Sequence, residues 1–351
     1  MDKNLKRLTI WTSDRDLELG DISGLLTLDY TKEIPYLINR VLTRNDKIIF
    51  NRWCPYKEEL GLGIHGVEIG QSLIQAIATR AYFETYSSER HAIVDDVVLP
   101  RDYRISSHEQ PVFFFVVSGR VYAAVVGSEY IDNKIRSNLM GASRTRDTRY
   151  EGWGRILFKD IPAYTFSVDF FYWLILKQNQ IITAGDYEIN LSDIHSLDQS
   201  SERNDVSQTV KGANLTDEPM ATTGLSVDSD VKAVGITVTI PDATLKINIL
   251  QNGECHIDQL ISRVIGPRGE FLFVDDNLEF VTLFIYVILL PALNQEYNSD
   301  VRDGRWTTRH RETARKLWAL GVINELCSEN RLSIADVTGV EWFRARAVGT
   351  P

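Results

Sequence analysis

Apolar positions along this chain change their period several times, and each change marks an element. Between Pro111 and Gly127, two apolar runs, Val112-Phe113-Phe114-Phe115-Val116-Val117 and Val121-Tyr122-Ala123-Ala124-Val125-Val126, flank a Ser118-Gly119 turn. The pattern predicts a β-hairpin, and its nearly unbroken apolar arms predict central strands covered on both faces. Ile131, Ile135 and Leu139 then recur every four residues, predicting a short amphipathic helix that ends near Gly141. Upstream, Lys47 to Phe50 reads as a strand. Leu73, Ile74, Ile77, Ala81 and Tyr82 fall on one face of a helix expected over about 67–86, and 93–99 reads as extended. Downstream, 155–158 reads as a further strand and Val168 to Leu176 as a buried helix.

From 196 to 230 large apolar residues nearly vanish and Ser, Thr, Asn, Asp and Gly dominate, the composition of a linker or mobile insert. Three alternating runs follow, Ala233–Ile240, Thr244–Leu250 and Cys255–Ile257, separated by Pro241-Asp242 and Asn252-Gly253 turns. They predict an antiparallel meander, covered by helices over about 278–293 and 308–328. The expected fold class is therefore α/β plus α+β. It comprises a domain over 1–195 with a mixed sheet and an apolar hairpin, a polar linker or insert over 196–230, and an α+β domain over 231–351.

Composition narrows the function classes. With 351 residues and a net charge of -10, the chain can bury a core without staples and is not coated in positive charge. Cys54, Cys255 and Cys327 lie far apart, which fits neither a zinc ribbon nor a disulfide framework and points to a reducing compartment. The start of the chain lacks the apolar segment of a secretory signal, and the longest apolar stretch, Phe280 to Leu293, falls short of the roughly 20 residues of a membrane span. A cytoplasmic protein without membrane insertion is expected.

Against that acidic background stands one dense run of fixed positive charge, Ser143-Arg144-Thr145-Arg146-Asp147-Thr148-Arg149-Tyr150-Glu151-Gly152-Trp153-Gly154-Arg155. Arginine presents a planar fork to phosphate oxygens, and Tyr150 and Trp153 offer faces for base stacking. Asp147 and Glu151 can equally pair with these arginines, making the run a solvated loop or an intersubunit salt-bridge surface. A second basic segment, Arg302, Arg305, Arg309, Arg311, Arg315 and Lys316, opens the last expected helix, where Arg309 and Lys316 share a face. Together, Arg144, Arg146, Arg149, Tyr150, Trp153, Arg155, Arg305, Arg309 and Lys316 form the candidate nucleic-acid-binding set. DNA is favoured over RNA, and binding through phosphates would be salt-dependent and poorly sequence-specific.

Enzymatic signatures are weaker. Gly61-Leu62-Gly63-Ile64-His65-Gly66 matches GxGxxG ahead of an expected helix, but no strand leads directly into it. Asp95 with Asp96, or Asp275 and Asp276 with Glu279, would be the carboxylates of a divalent-metal nuclease, the alternative function, although no E-x-K spacing follows either group. The histidines at 65, 91, 108, 195, 256 and 310 show no zinc spacing, and His256 with Asp258 would pair only if a turn permitted it. No metal, no cofactor and no catalytic residue is assigned.

The hairpin Phe113–Ala124 followed by Tyr130 to Met140 resembles the family of the phage-exclusion protein RexA and the Kiwa defence component KwaB. The likeness rests on the apolar hairpin with its glycine turn, the short helix and the later mixed-strand part, about a third of the chain. It implies a bacterial DNA-binding antiphage protein acting with a partner; the chain is expected to have a protein partner or to form a homo-oligomer. No family site residue maps onto this chain. A third reading, an interaction subunit whose arginines dock an acidic protein, uses the same basic segments.

Overall fold

The structure is a computed structural model that describes residues 4–141, 148–184, 187–201, 206–266, 268–333 and 336. In chain order its main elements are β1 (Leu5–Ser13), α1 (Leu19–Leu26), β2 (Asn51–Pro55), β3 (His65–Ile69), β4 (Ser72–Tyr86), β5 (Ile105–Val117), β6 (Arg120–Val126), α2 (Glu129–Leu139), α3 (Val168–Leu176), β7 (Ile181–Ala184), β8 (Tyr187–Ser201), β9 (Val206–Lys211), α4 (Pro219–Ser226), β10 (Asp230–Ile240), β11 (Ala243–Leu250) and β12 (Cys255–Asp258). Helices α5 (Leu278–Leu283), α6 (Leu290–Arg302) and α7 (Thr308–Glu329) follow.

One antiparallel sheet runs β7-β8-β10-β11-β12-β1-β6-β5-β4-β2, with β3 beside β4 and β9 beside β8. The β5–β6 hairpin and the β10–β11–β12 meander stand where the apolar patterns place them. Strand β1 joins the halves: Leu8 to Thr12 pair with β6, and Leu5 to Leu8 pair with β12. The fold class is α+β, helices packed on an antiparallel sheet.

Alternation explains why the hairpin arms are apolar throughout. Phe113, Phe115, Tyr122, Ala124 and Val126 face the larger core, with Leu8 and Ile10 of β1 and the helices α3, α5 and α6. Val112, Phe114, Val121, Ala123 and Val125 face a second core under α1 and α2. Both faces are therefore dry, and a polar residue on either would lose its water.

Three expectations are corrected. The helix expected over about 67–86 is instead the hairpin β3–β4, whose 15-residue strand pairs along most of its length with β5. Leu73, Ile74, Ile77 and Ala81 fit a helical face, but the surrounding Ala76, Ala78, Thr79 and Phe83 are buried too, and burial on both faces suits a central strand. The stretch read as a linker is structured where it is described: β8 runs through the expected boundary at 195, and β9 and α4 follow. Its small polar residues pair with strand neighbours instead of forming a core, so composition misreads them as loop. The apolar helix expected over about 278–293 runs on past Pro291, through a π-turn at Phe284–Leu289 into α6, which ends at Arg302. A wider turn accommodates a proline, which lacks the N–H an ordinary turn would use. This segment, Val274–Arg302, is long and apolar enough to cross a membrane by length and composition, yet 61% of its apolar window is buried inside the protein. Phe284, Ile285, Tyr286, Leu289, Leu290 and Leu293 all sit at 0% exposure against the sheet.

Candidate nucleic-acid interface

The arginine run divides sharply. Arg144 and Arg146 lie outside the described residues, and the side chain of Arg149 does too. Tyr150 and Trp153, expected to offer exposed faces, are 5% and 1% exposed in the second core. Tyr150 stacks on Tyr30 with ring centroids 5.4 Å apart and donates its hydroxyl to the Asn138 carbonyl. The Trp153 ring lies 6.0 Å from both Trp53 and Phe114, and its Nε1–H donates to Tyr30 Oη at 2.8 Å. Neither ring is available to a base, so both leave the stacking role. Their function is to anchor the segment. Gly154 allows the close passage that follows: at φ 66° a Cβ there would lie 2.6 Å from Asp14 Oδ1. Arg155 emerges exposed beyond it, held by its backbone N–H to Asp14 Oδ1.

The second basic segment is also split. Arg305 binds Asp300 at 2.6 Å and Asp303 at 3.2 Å. Arg311 and Arg315 both bind Asp228, and the Arg311 guanidinium covers the Tyr172 ring at 4.4 Å. These pairs fasten α7 to α3 and α4. Arg309 and Lys316 stay exposed, and neither side chain has an ion pair among the described residues. Seven residues apart on α7, they stand about 10 Å apart along one helix face. The two basic segments belong to different cores: Trp153 packs in the second, Trp306 and Trp318 at the larger one.

The nuclease and phosphate-loop candidates change character. Asp95 and Asp96 form the turn of a two-residue hairpin, both at positive φ, and Asp96 pairs with Arg40 at 2.7 Å. Asp275 pairs with Lys6 at 3.1 Å and Glu279 with His65 at 2.5 Å. Among the described residues no group of three or more His, Cys, Asp or Glu side chains is placed to hold a metal ion. The glycines at 61–66 lead into strand β3, so the loop has no helix N-terminus to offer a phosphate. His256 bonds Glu254 at 2.7 Å, not Asp258.

Sequence reasoning missed a polar row across the sheet. Direct cross-strand partners run Arg7, His256, Asn248, Gly235, Ser196, from β1 through β12, β11 and β10 to β8. At one end Arg7 binds both carboxylate oxygens of Glu254, at 2.5 and 2.7 Å. Burial pushes the Glu254 carboxyl up, but hydrogen bonds from His256 and Arg7 outweigh it and hold it down at about 2. Beside this pair a cavity of about 740 Å³ includes Asp132 and Arg136 of α2. Asp132 accepts from Thr9 Oγ1 at 2.8 Å and faces Arg136 at 3.3 Å; burial nonetheless raises its carboxyl. The Arg136 guanidinium lies 3.6 Å from the Phe158 ring. Acids and bases balance in this cavity, so it selects no charge sign.

At the other end a β-bulge between Ile194 and Ser196 leaves His195 out of register, aimed onto the polar face. Its Nε2 meets Asn248 Oδ1 at 3.2 Å. Gly235 opposite makes the space: a Cβ there would lie 2.7 Å from His195 Nε2 and 2.3 Å from Asn248 Oδ1. One signal for this row was present in the sequence, the period-2 alternation of 243–250, which sets Lys246 and Asn248 on the face opposite Leu245, Ile247 and Ile249. No protein-family model and no curated protein matches the chain.

Proposed function

We propose that this protein binds nucleic acid, DNA in preference to RNA, by phosphate contacts from Arg155, Arg309 and Lys316 together with the arginines at 144, 146 and 149. The single observation that carries the reading is that Arg309 and Lys316 are exposed on one face of α7 and have no ion pair among the described residues, while their neighbours Arg305, Arg311 and Arg315 are tied to aspartates. On a chain of net charge -10, leaving cations unneutralised on a rigid helix gives a polyanion a local attachment point. The resemblance of the hairpin region adds the setting: a cytoplasmic bacterial antiphage system with a protein partner. Two double variants test the binding, Arg309→Glu with Lys316→Glu and Arg146→Glu with Arg149→Glu, measured by electrophoretic shift at low salt on DNA and RNA. Unchanged affinity in both would sink the proposal.

A protein partner draws support from a separate observation. Leu317, Leu320, Ile323 and Leu326 of the same helix are 47–65% exposed, beside an open groove of about 630 Å³ that includes Trp306 and Trp318. Apolar side chains displayed together on one helix suit a protein contact better than a phosphate. Light scattering of the purified protein, alone and with Leu320→Lys, reads this out: a complex that the substitution dissociates supports it, and a wild-type monomer that captures no partner opposes it.

A further inference from the structure

The polar row ends in a cavity of about 390 Å³ whose walls come from β1, β8, β9, β11 and β12. His195 and Ser196 enter from β8, Lys211 from the end of β9, Lys246 and Asn248 from β11, and Asp258 from β12. Neither lysine has an ion pair among the described residues. The one carboxylate lining the cavity, Asp258, accepts the N–H groups of Leu260 and Ile261 on Oδ1 at 3.0 and 3.3 Å, closing its own turn, and its single charge leaves the two lysines in excess. His256 is likewise occupied by Glu254. His195 is 7% exposed, and its Nδ1 is buried without a hydrogen-bond partner.

Burial first, then the charge of Lys246 and more weakly of Lys211, pull the His195 imidazole down to about 4, against a smaller opposing pull from Asp193 and Asn248. The ring is therefore neutral at physiological pH, and the positive field around it comes from Lys246 and Lys211.

We infer that this cavity binds a phosphate monoester beside the His195 ring, with Lys211 and Lys246 meeting its oxyanion charge and the Ser196 hydroxyl and Asn248 amide supplying hydrogen bonds. Two ammonium groups against one carboxylate favour an anionic ligand, and a dianion over a single carboxylate. The volume lies within the range of small-molecule sites of roughly 300–1,000 Å³. This site is distinct from the helix cations and does not depend on the nucleic-acid proposal.

Titrating the full-length protein, carrying 13C-labelled histidine, with inorganic phosphate, AMP and adenosine tests the inference by NMR. Phosphate and AMP should move the His195 ring resonances and raise the pH at which that ring titrates; adenosine should do neither. Lys211→Gln and Lys246→Gln should each weaken AMP binding about tenfold or more, the loss of one charge-assisted contact, with thermal stability near wild type. Absence of any His195 response at millimolar phosphate overturns the site, as does wild-type AMP affinity in both lysine variants. Competition by a 5′-phosphorylated single strand assigns the monoester to a strand end, and failure to compete assigns it to free mononucleotides; either outcome keeps the site. Arg309→Glu with Lys316→Glu should leave AMP binding intact, so the two proposals can fail separately.

Discussion

Replacing Trp153 by alanine separates the two roles this residue can have. As a stacking platform it would cost binding and little stability; as the core residue described above it costs stability. Its ring is 1% exposed, lies against Trp53 and Phe114, and donates to Tyr30 Oη. Trp→Ala in such a site removes the transfer energy of the indole and leaves a cavity, together about 3–5 kcal/mol. That is a large part of the roughly 5–15 kcal/mol by which domains are stable. Tyr30 keeps its own hydrogen bond to the Leu25 carbonyl at 2.9 Å, so the substitution orphans no buried donor and the cost is mainly packing. Trp153→Phe, which keeps an aromatic ring but not the N–H, should cost only about 1–2 kcal/mol. Urea denaturation followed by far-UV circular dichroism reads both, because the midpoint should fall with little change in slope. A Trp153→Ala protein with a wild-type midpoint but tenfold weaker DNA binding would refute the placement of this ring in the core.

Other expectations follow from the same geometry. Arg309→Glu with Lys316→Glu should flatten the plot of log affinity against log salt by nearly two units of slope if each cation meets one phosphate, at about 0.9 per contact. Glu254 has a carboxyl held at about 2, below its unfolded value, so its contribution to stability is present above about pH 4.3 and lost as the pH falls through 2. The full loss approaches about 3 kcal/mol, and unfolding free energies measured from pH 6 to 2 should show it in wild type but not in Glu254→Gln. Gly235→Ala should destabilise by about 1–3 kcal/mol and shift the His195 resonances, since the added Cβ overlaps both Asn248 and His195. A variant with wild-type melting and unmoved resonances would show that the row yields without cost.

The hairpin, the helix after it, the C-terminal meander and the last helices were legible in the sequence because local periodicity and turn residues specify them. Phe113 to Val117 could be read as a strand buried on both faces without knowing what buried it. The element at Ser72–Tyr86 escaped because apolar residues at helical spacing also occur in a strand buried on both sides, and only its partner β5 decides between them. Arg309 and Lys316 were legible as a shared helix face. Their freedom was not, because it depends on Asp300 and Asp228 claiming Arg305, Arg311 and Arg315 instead.

Charge density alone marked Tyr150 and Trp153 as binding residues, and the surrounding core withdrew them: an aromatic ring beside arginines carries no local sign of whether it faces water or Phe114. The sheet-face cavity could not be anticipated at all. Its polar residues include those at 195, 196, 211, 246, 248 and 258, and only the antiparallel register and the bulge beside His195 bring them together. What this sequence determined by itself was which segments extend, coil and turn, since those choices follow from steric preference and apolar period over a few residues. Which charges remain unpaired, and which side chains share a cavity, was decided only by the tertiary structure, because pairing and burial depend on neighbours far away in the chain.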